Sequence, residues 1–283
     1  MSVPADSSQS SEPLESTSEP SRDCASVDRS TGAANDATGS ERDRTASSEG
    51  DPRMNEEFVR RLPDADLTLV GVVHDHPASV HRARAVVRER APEVVALEAP
   101  PLAVPLYEVY ARDSRTPPAF GGEMSAAAQA GGERDAEVVG IDAPTPDFFA
   151  RLAENCWSET ASLGTLRRVA SGVAAVTRHA LTCRLAAGVA ERTSLRVEVD
   201  DPIDHDCSRA DPPAAQARDE REQARRSRSL LRAFDPPRPV KLRDDTREEC
   251  MAERLESLRS RGETVAIVGL DHLESVAATL REK

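Results

Sequence analysis

Four short apolar runs, each followed by a segment long enough for a helix, constrain this chain more than anything else in it. They are Leu67 to Val73, Val94 to Leu97, Ala136 to Ile141 and Thr264 to Val268. Runs this short that lack polar alternation read as strands buried on both faces. Between them lie amphipathic helical stretches. Strands alternating with helices of ten or more residues predict an α/β fold with a mostly parallel central sheet flanked by helices. The expected helices are 77–90, opened by His76-Pro77 with proline at the first position, then about 104–110, 122–133, 213–232 and 244–261, and a last one from about Leu273. In the first of these, Val80, Ala83, Val86 and Val87 form the apolar stripe, and Arg82, Arg84, Arg88 and Glu89 the solvent side. The segment of about 145–232 reads as a helical insertion or cap. Its longest helix carries apolar positions Leu166, Val169, Val173, Val176, Ala180 and Leu181. Leu195 to Val199 is a possible edge strand, and 200–212 a loop.

Residues 1–54 are rich in Ser, Glu, Asp, Thr and Pro and nearly free of large apolar side chains. Such a segment cannot bury enough surface to offset its ordering entropy, so a disordered acidic, Ser-rich tail is expected, followed by one α/β domain over 55–283.

Composition excludes some functions. Fifty acidic against 37 basic residues give a net charge of −13, which argues against a nucleic-acid partner. Lys241 and Lys283 are the only lysines. An acidic, arginine-rich and lysine-poor chain fits a halophilic protein, whose carboxylates keep it soluble at high salt, and equally fits a GC-rich genome. The 5 cysteines are widely spaced with no C-x-x-C pair, which favours reduced thiols and a cytoplasmic location. No signal-peptide pattern and no transmembrane run of eighteen apolar residues is present.

In a parallel sheet, ligands gather at the carboxyl ends of the strands. Here those ends carry chemistry. Gly71-Val-Val-His74 and Gly269-Leu-Asp-His272 each place a histidine three residues past a glycine. One such string would be weak, since a histidine at a strand end is most often a hydrogen-bonded structural residue. Two strands of one parallel sheet would bring both to one edge. Glu98 follows the second run and Asp142 the third. Glu123 lies in the first turn of its expected helix, and Arg247 in the first turn of another. Two imidazoles with carboxylates suit a divalent ion such as zinc, manganese or cobalt. A carboxylate not bound to such an ion could take a proton from a metal-bound water, and an arginine could hold a substrate carboxylate or stabilise an oxyanion. Asp142, Gly71 and Gly269 are candidate substrate-binding positions, the glycines because they leave room at the backbone. Among the other histidines, His76 and His81 flank a helix, and His205-Asp206-Cys207 is a weaker metal candidate in a polar loop.

At these residues the chain resembles the TraB/PrgY family, grouped with the Tiki proteases and the ChaN and erythromycin-esterase folds. The resemblance rests on four motifs in order. These are Gly71-Val-Val-His74 with Pro92-Glu-Val-Val-Ala-Leu-Glu98, Gly121-Gly-Glu123 with its alanines and Asp142, Arg247-Glu-Glu-Cys-Met251-Ala252, and Gly269-Leu-Asp-His272. It implies a metal-dependent, peptidase-like hydrolase in which His74 and His272 are metal ligands, Glu98 or Glu123 is a ligand or general base, and Arg247 orients substrate. Three positions depart from the pattern: Val72 replaces a threonine, Ala143 stands where an arginine often follows the aspartate, and Ala99-Pro-Pro101 replaces a polar turn. The alternative is a non-catalytic protein that binds or sequesters a peptide signal or small molecule. A homodimer is a further possibility.

Overall fold

The computed structural model describes residues 50–282 apart from 63, 65, 194, 197, 200 and 201, and apart from the side chains of 231 and 232. The expected disordered tail lies outside the described residues up to position 49. Residues 51–54 form a turn, held by the Asp51–Arg53 pair, with Met54 packed on the core.

Five strands form one sheet: β1 (Val59–Leu62), β2 (Leu67–Val72), β3 (Val94–Leu97), β4 (Glu137–Gly140) and β5 (Thr264–Gly269), in the order β1-β2-β5-β3-β4. All neighbours are parallel except β1, which pairs antiparallel with β2. The fold is thus the expected α/β class, with a mostly parallel sheet. Every residue of β2, β3 and β5 is buried, which is why these strands read as unbroken apolar runs. β1 was not expected. It lies at the sheet's edge, and Arg60 and Arg61 interrupt its apolar pattern.

Helices cover both faces. Leu67, Leu69, Ala266 and Val268 face α7 (Arg238–Leu258) and α8 (Leu270–Arg281) through Met251, Leu255 and Val276. Val70, Val72, Val95 and Ile267 face α1 (Pro77–Arg90) and α3 (Gly122–Gly132) through Ala83, Val87 and Ala127. Alternate residues along each strand serve opposite faces, as the pleat requires. α1 starts on a side-chain cap: His76 Nδ1 accepts the Ala78 N–H at 3.1 Å, and Pro77 takes the position whose N–H would be orphaned. Arg82, expected on the wet side of α1, is fully buried. Its guanidinium meets Glu220 of α6 (Pro213–Ala233) at 2.6 and 2.8 Å and donates to the carbonyls of Gly71 and Arg53. Sequence periodicity cannot see a partner 138 residues away.

The helical region between β4 and β5 packs in pieces. α4 (Pro146–Ser158) and α5 (Leu163–Thr193) join α7 around Phe148, Leu152, Val169 and Leu242. Farther along, α5 rests on α2 (Val104–Ala111) through Cys183 and Ala187, against Leu106 and Tyr110. Small residues allow that close approach, and Leu166 and Leu181, expected inside, remain exposed. The possible strand at Leu195 to Val199 does not form: its described residues carry no regular structure. Helix α7 begins at Arg238, six residues earlier than expected, because Pro239 sits in the first turn, where a missing N–H costs nothing. Arg247 is therefore well inside its helix and not in the first turn.

Candidate functional site

The parallel register levels the strand ends. Val72 pairs with Gly269, Leu97 with Ile267 and with Gly140, and the Glu98 N–H continues the ladder to the Ile267 carbonyl at 2.9 Å. His74, Glu98, Asp142 and Gly269 thus emerge along one edge. Glu123, in the first turn of α3, and Arg247, from α7, arrive there from opposite faces of the sheet.

Each histidine has a carboxylate on its Nδ1. His74 Nδ1 lies 2.8 Å from Glu123 Oε1, and His272 Nδ1 lies 2.8 Å from Glu248 Oε1. Glu123 is buried, and its other oxygen accepts the Asp75 N–H at 2.9 Å. Glu248 is likewise bonded through its second oxygen to the Ser275 hydroxyl. The hydrogen bond to Glu123 raises the His74 pKa to about 9, against the opposing pull of burial. Burial alone would raise Glu123, but the bond and charge of His74 hold it below the usual carboxylate range. At His272, burial lowers the ring, and Glu248 with Glu98 together outweigh it to give a net rise.

Glu98 joins the two halves. Its Oε2 accepts the Gly269 N–H at 2.5 Å, and its Oε1 lies 3.0 Å from Arg247 Nη2 and 3.5 Å from His272 Nε2. A Cβ on Gly269 would stand 3.3 Å from both Glu98 Oε2 and His74 Nε2, and 3.8 Å from the His272 ring. The missing side chain therefore leaves a small space bordered by both imidazoles and Glu98. Asp142 grips Arg247 at two points, which raises the guanidinium's pKa over the opposing effect of burial.

His74 stands between two cavities. One of about 520 Å³ is bordered by His74, Glu98, Tyr107, Tyr110, Ile203 and Arg209. Another of about 270 Å³ is bordered by His74, His205, Ser227, Gly269 and His272. A larger, open apolar groove lies away from this chemistry, between α4 and α5, and is lined by Phe149, Trp157, Leu166 and Leu181 among others.

Of the expected residues, His74, Glu98, Glu123, Asp142, Arg247, Gly269 and His272 are brought together. Gly71 is not. It lies within β2, where a Cβ would collide with Leu270 and Leu273, so its smallness serves the packing of α8. Sequence reasoning missed Glu248, although it directly follows Arg247 in the string Arg247-Glu-Glu-Cys-Met251-Ala252. It also missed Asp75, which sits in the left-handed region at φ 59° and whose carboxyl is raised by burial and by Glu123. His205, expected as a metal candidate with Cys207, instead hydrogen-bonds the His74 carbonyl at 2.8 Å and Gln223 at 3.0 Å.

One group among the described residues has three ligand atoms, all within 4.8 Å of one another, that could hold a metal ion: His76, Cys207 and Asp219. The four described cysteines, Cys156, Cys183, Cys207 and Cys250, form no disulfide among the described residues. Among the described residues no helix is long and apolar enough to cross a membrane. Comparison with protein-family models, with curated proteins and with solved structures finds no match.

Proposed function

We propose that the chain is a metal-dependent hydrolase of the TraB/PrgY type, with peptides as its substrate class. The observation that carries this reading is the paired carboxylate–histidine arrangement at the strand ends. A metal-binding histidine commonly donates its second ring N–H to a carboxylate, which fixes the tautomer and the ring's orientation. Glu123 and Glu248 stand at Nδ1 of His74 and His272; His74 Nε2 faces the space at Gly269, and His272 Nε2 lies 3.5 Å from both Glu98 Oε1 and Arg247 Nη1. This imidazole and carboxylate set fits zinc, manganese or cobalt. His74 and His272 would hold the ion, with Glu98 beside them. When bound, such an ion would supply acidification of a water for attack on a carbonyl.

The remaining residues position and charge the site. Arg247 balances the charges of Glu98 and Asp142 and so acts as a positioning residue for Glu98. Asp142 in turn holds Arg247. Arg209 borders the larger cavity, with its Nη1 on the Pro118 carbonyl at 3.0 Å, and provides a positive group for a substrate carboxylate. Four cysteines without a disulfide among the described residues support a reducing, cytoplasmic location. The exposed groove of Phe149, Trp157 and Leu166 is the surface a homodimer would cover, and a protein that sediments as a monomer at every concentration ends that part of the reading.

The second reading is a protein that binds or sequesters a peptide or small molecule without turnover. One observation favours it: both Glu98 oxygens are engaged, by Gly269 and by Arg247, which leaves this carboxylate poorly placed as a base.

Manganese- or cobalt-loaded protein, assayed against a peptide library, separates the two. The hydrolase cleaves peptides, and the double variant His74→Ala, His272→Ala loses both cleavage and one equivalent of metal. Metal uptake and cleavage unchanged in that variant would sink the hydrolase reading. Tight peptide retention without cleavage would support sequestration.

A further inference from the structure

Loop 202–212 and α6 close over the start of α1. Three side chains from three separate stretches meet there. His76 caps α1, Cys207 comes from the loop, and Asp219 from the second turn of α6. His76 Nε2 lies 3.0 Å from Asp219 Oδ2 and 3.4 Å from Cys207 Sγ. His76 is fully buried, and the side chain of Asp219 is 13% exposed. Zinc holds nitrogen and oxygen at about 2.0–2.2 Å and thiolate sulfur at about 2.3 Å, so tetrahedral ligand atoms stand roughly 3.3–3.6 Å apart. The Cys207 separation matches that edge, the Asp219 one is slightly shorter, and all three ligand atoms lie within 4.8 Å of one another.

We propose that His76, Cys207 and Asp219 form a zinc site, with solvent as the fourth ligand, that fastens loop 202–212 to the sheet edge. It is separate from the hydrolytic centre proposed above. It alone contains sulfur, and it uses none of His74, Glu98 or His272.

The donor set favours zinc. Imidazole, thiolate and carboxylate around a divalent ion sum to no net charge, which suits a mostly buried place. Without an ion, burial and then Asp219, Asp211 and Glu220 push the Cys207 thiol up to about 12. Those carboxylates are also what draws a cation in. Gln223 Nε2 donates to Asp219 Oδ2 at 2.9 Å and keeps that carboxylate aimed at the cluster. Binding releases the thiol proton to solvent. The ring proton moves from Nε2, where it now serves Asp219, to Nδ1, so the Ala78 N–H loses its acceptor and the first turn of α1 shifts to keep the two N–H groups apart. One cap bond is a small loss beside the free energy of structural zinc.

The same loop roofs the larger cavity. Its Ile203 N–H donates to Asp75 Oδ2 at 3.1 Å, and His205 bonds the His74 carbonyl. Zinc at the loop's root therefore sets the height of the roof over His74.

Cobalt substitution of the full chain tests the site. A thiolate-to-cobalt charge-transfer band is expected at one equivalent. It persists in the His74→Ala, His272→Ala variant and vanishes in Cys207→Ser. On the unmutated protein, zinc slows alkylation of Cys207, followed by peptide mass, by about tenfold or more. No sulfur–cobalt band in the unmutated protein, a band that survives Cys207→Ser, or alkylation indifferent to zinc would overturn the proposal. Because the band and the alkylation are read on the unmutated chain, the test stands even if a variant fails to fold. Loss of peptide cleavage with the sulfur band intact would count against the hydrolase and not against this site.

Discussion

Arg247 and Asp142, 105 residues apart in the chain, meet at two points, Nε to Oδ1 at 2.9 Å and Nη2 to Oδ2 at 2.6 Å. The same Nη2 reaches Glu98, so one guanidinium balances two buried carboxylates. Arg247→Met leaves both without a cation and is expected to cost about 3–5 kcal/mol of stability. Arg247→Lys keeps the charge, loses the two-point grip and costs less. Urea unfolding of the three proteins at one salt concentration measures this. Equal midpoints would show that the contact contributes nothing.

The His74–Glu123 pair gives stability a pH window in the metal-free protein. His74 titrates at about 9, above its ordinary value of 6.5, so its contribution is complete below 6.5 and is lost as pH rises through 9. Glu123 is lowered from 4.5, so its contribution is complete above that value and is lost as pH falls through the lowered one. Stability from this pair is therefore greatest between about pH 4.5 and 6.5, and solvent reaching the His74 ring reduces its size. In Glu123→Gln the alkaline decline flattens and the His74 ring signal in NMR titrates near its ordinary value. An unshifted His74 in the unmutated protein would contradict the pairing.

Gly122 is held at φ 49°, and a Cβ there would collide with Asp75 Oδ1. Gly122→Ala is expected to cost about 1–3 kcal/mol from backbone strain, with further loss as Asp75 is displaced. Asp75 also gives its N–H to Glu123, so the His74 titration should move in the same variant. Thermal unfolding reads the first effect and NMR the second.

Arg82 and Glu220 form the other buried pair, with side chains 0% and 1% exposed. Glu220→Gln strands the Arg82 charge and is expected to cost about 3–5 kcal/mol, little changed by salt because no solvent separates the partners. Arg226→Ala, which breaks an exposed pair with Glu222, should cost under about 1 kcal/mol and only at low salt. Chemical denaturation of both variants at low and high salt compares them.

Buried strands were the most legible part of the sequence. β2, β3 and β5 are hidden on both faces, so every position had to be apolar or small. β1 was not legible, because an edge strand with Arg60 and Arg61 lacks that signal. The start of α7 was hidden by Pro236, Pro237 and Pro239, which read as breaks although a first turn accepts proline. At the site, expected strand-end position pointed to His74, Glu98 and Asp142, whereas His272, read as following a strand with the helix starting near Leu273, lies in the first turn of α8, which starts at Leu270. Glu248 and Asp75 escaped because their roles come from where α7 and the turn after β2 bring them. Arg82 looked like a solvated arginine until α6 supplied its carboxylate.

The order of the sheet, β1-β2-β5-β3-β4, places the strand that comes last in sequence at its centre. During synthesis, β1 and β2 can pair, as can β3 and β4, while residues 67–72 and 94–97 wait with open edges for a partner beginning at Thr264. Until it arrives, the β2 and β3 sides of the site are joined through the packing of α1 on α3 and the His74–Glu123 contact, with no strand between them. The Gly269 and His272 contacts therefore cannot form until synthesis has passed β5, and a nascent chain stalled before Thr264 presents two unsatisfied parallel edges to chaperones.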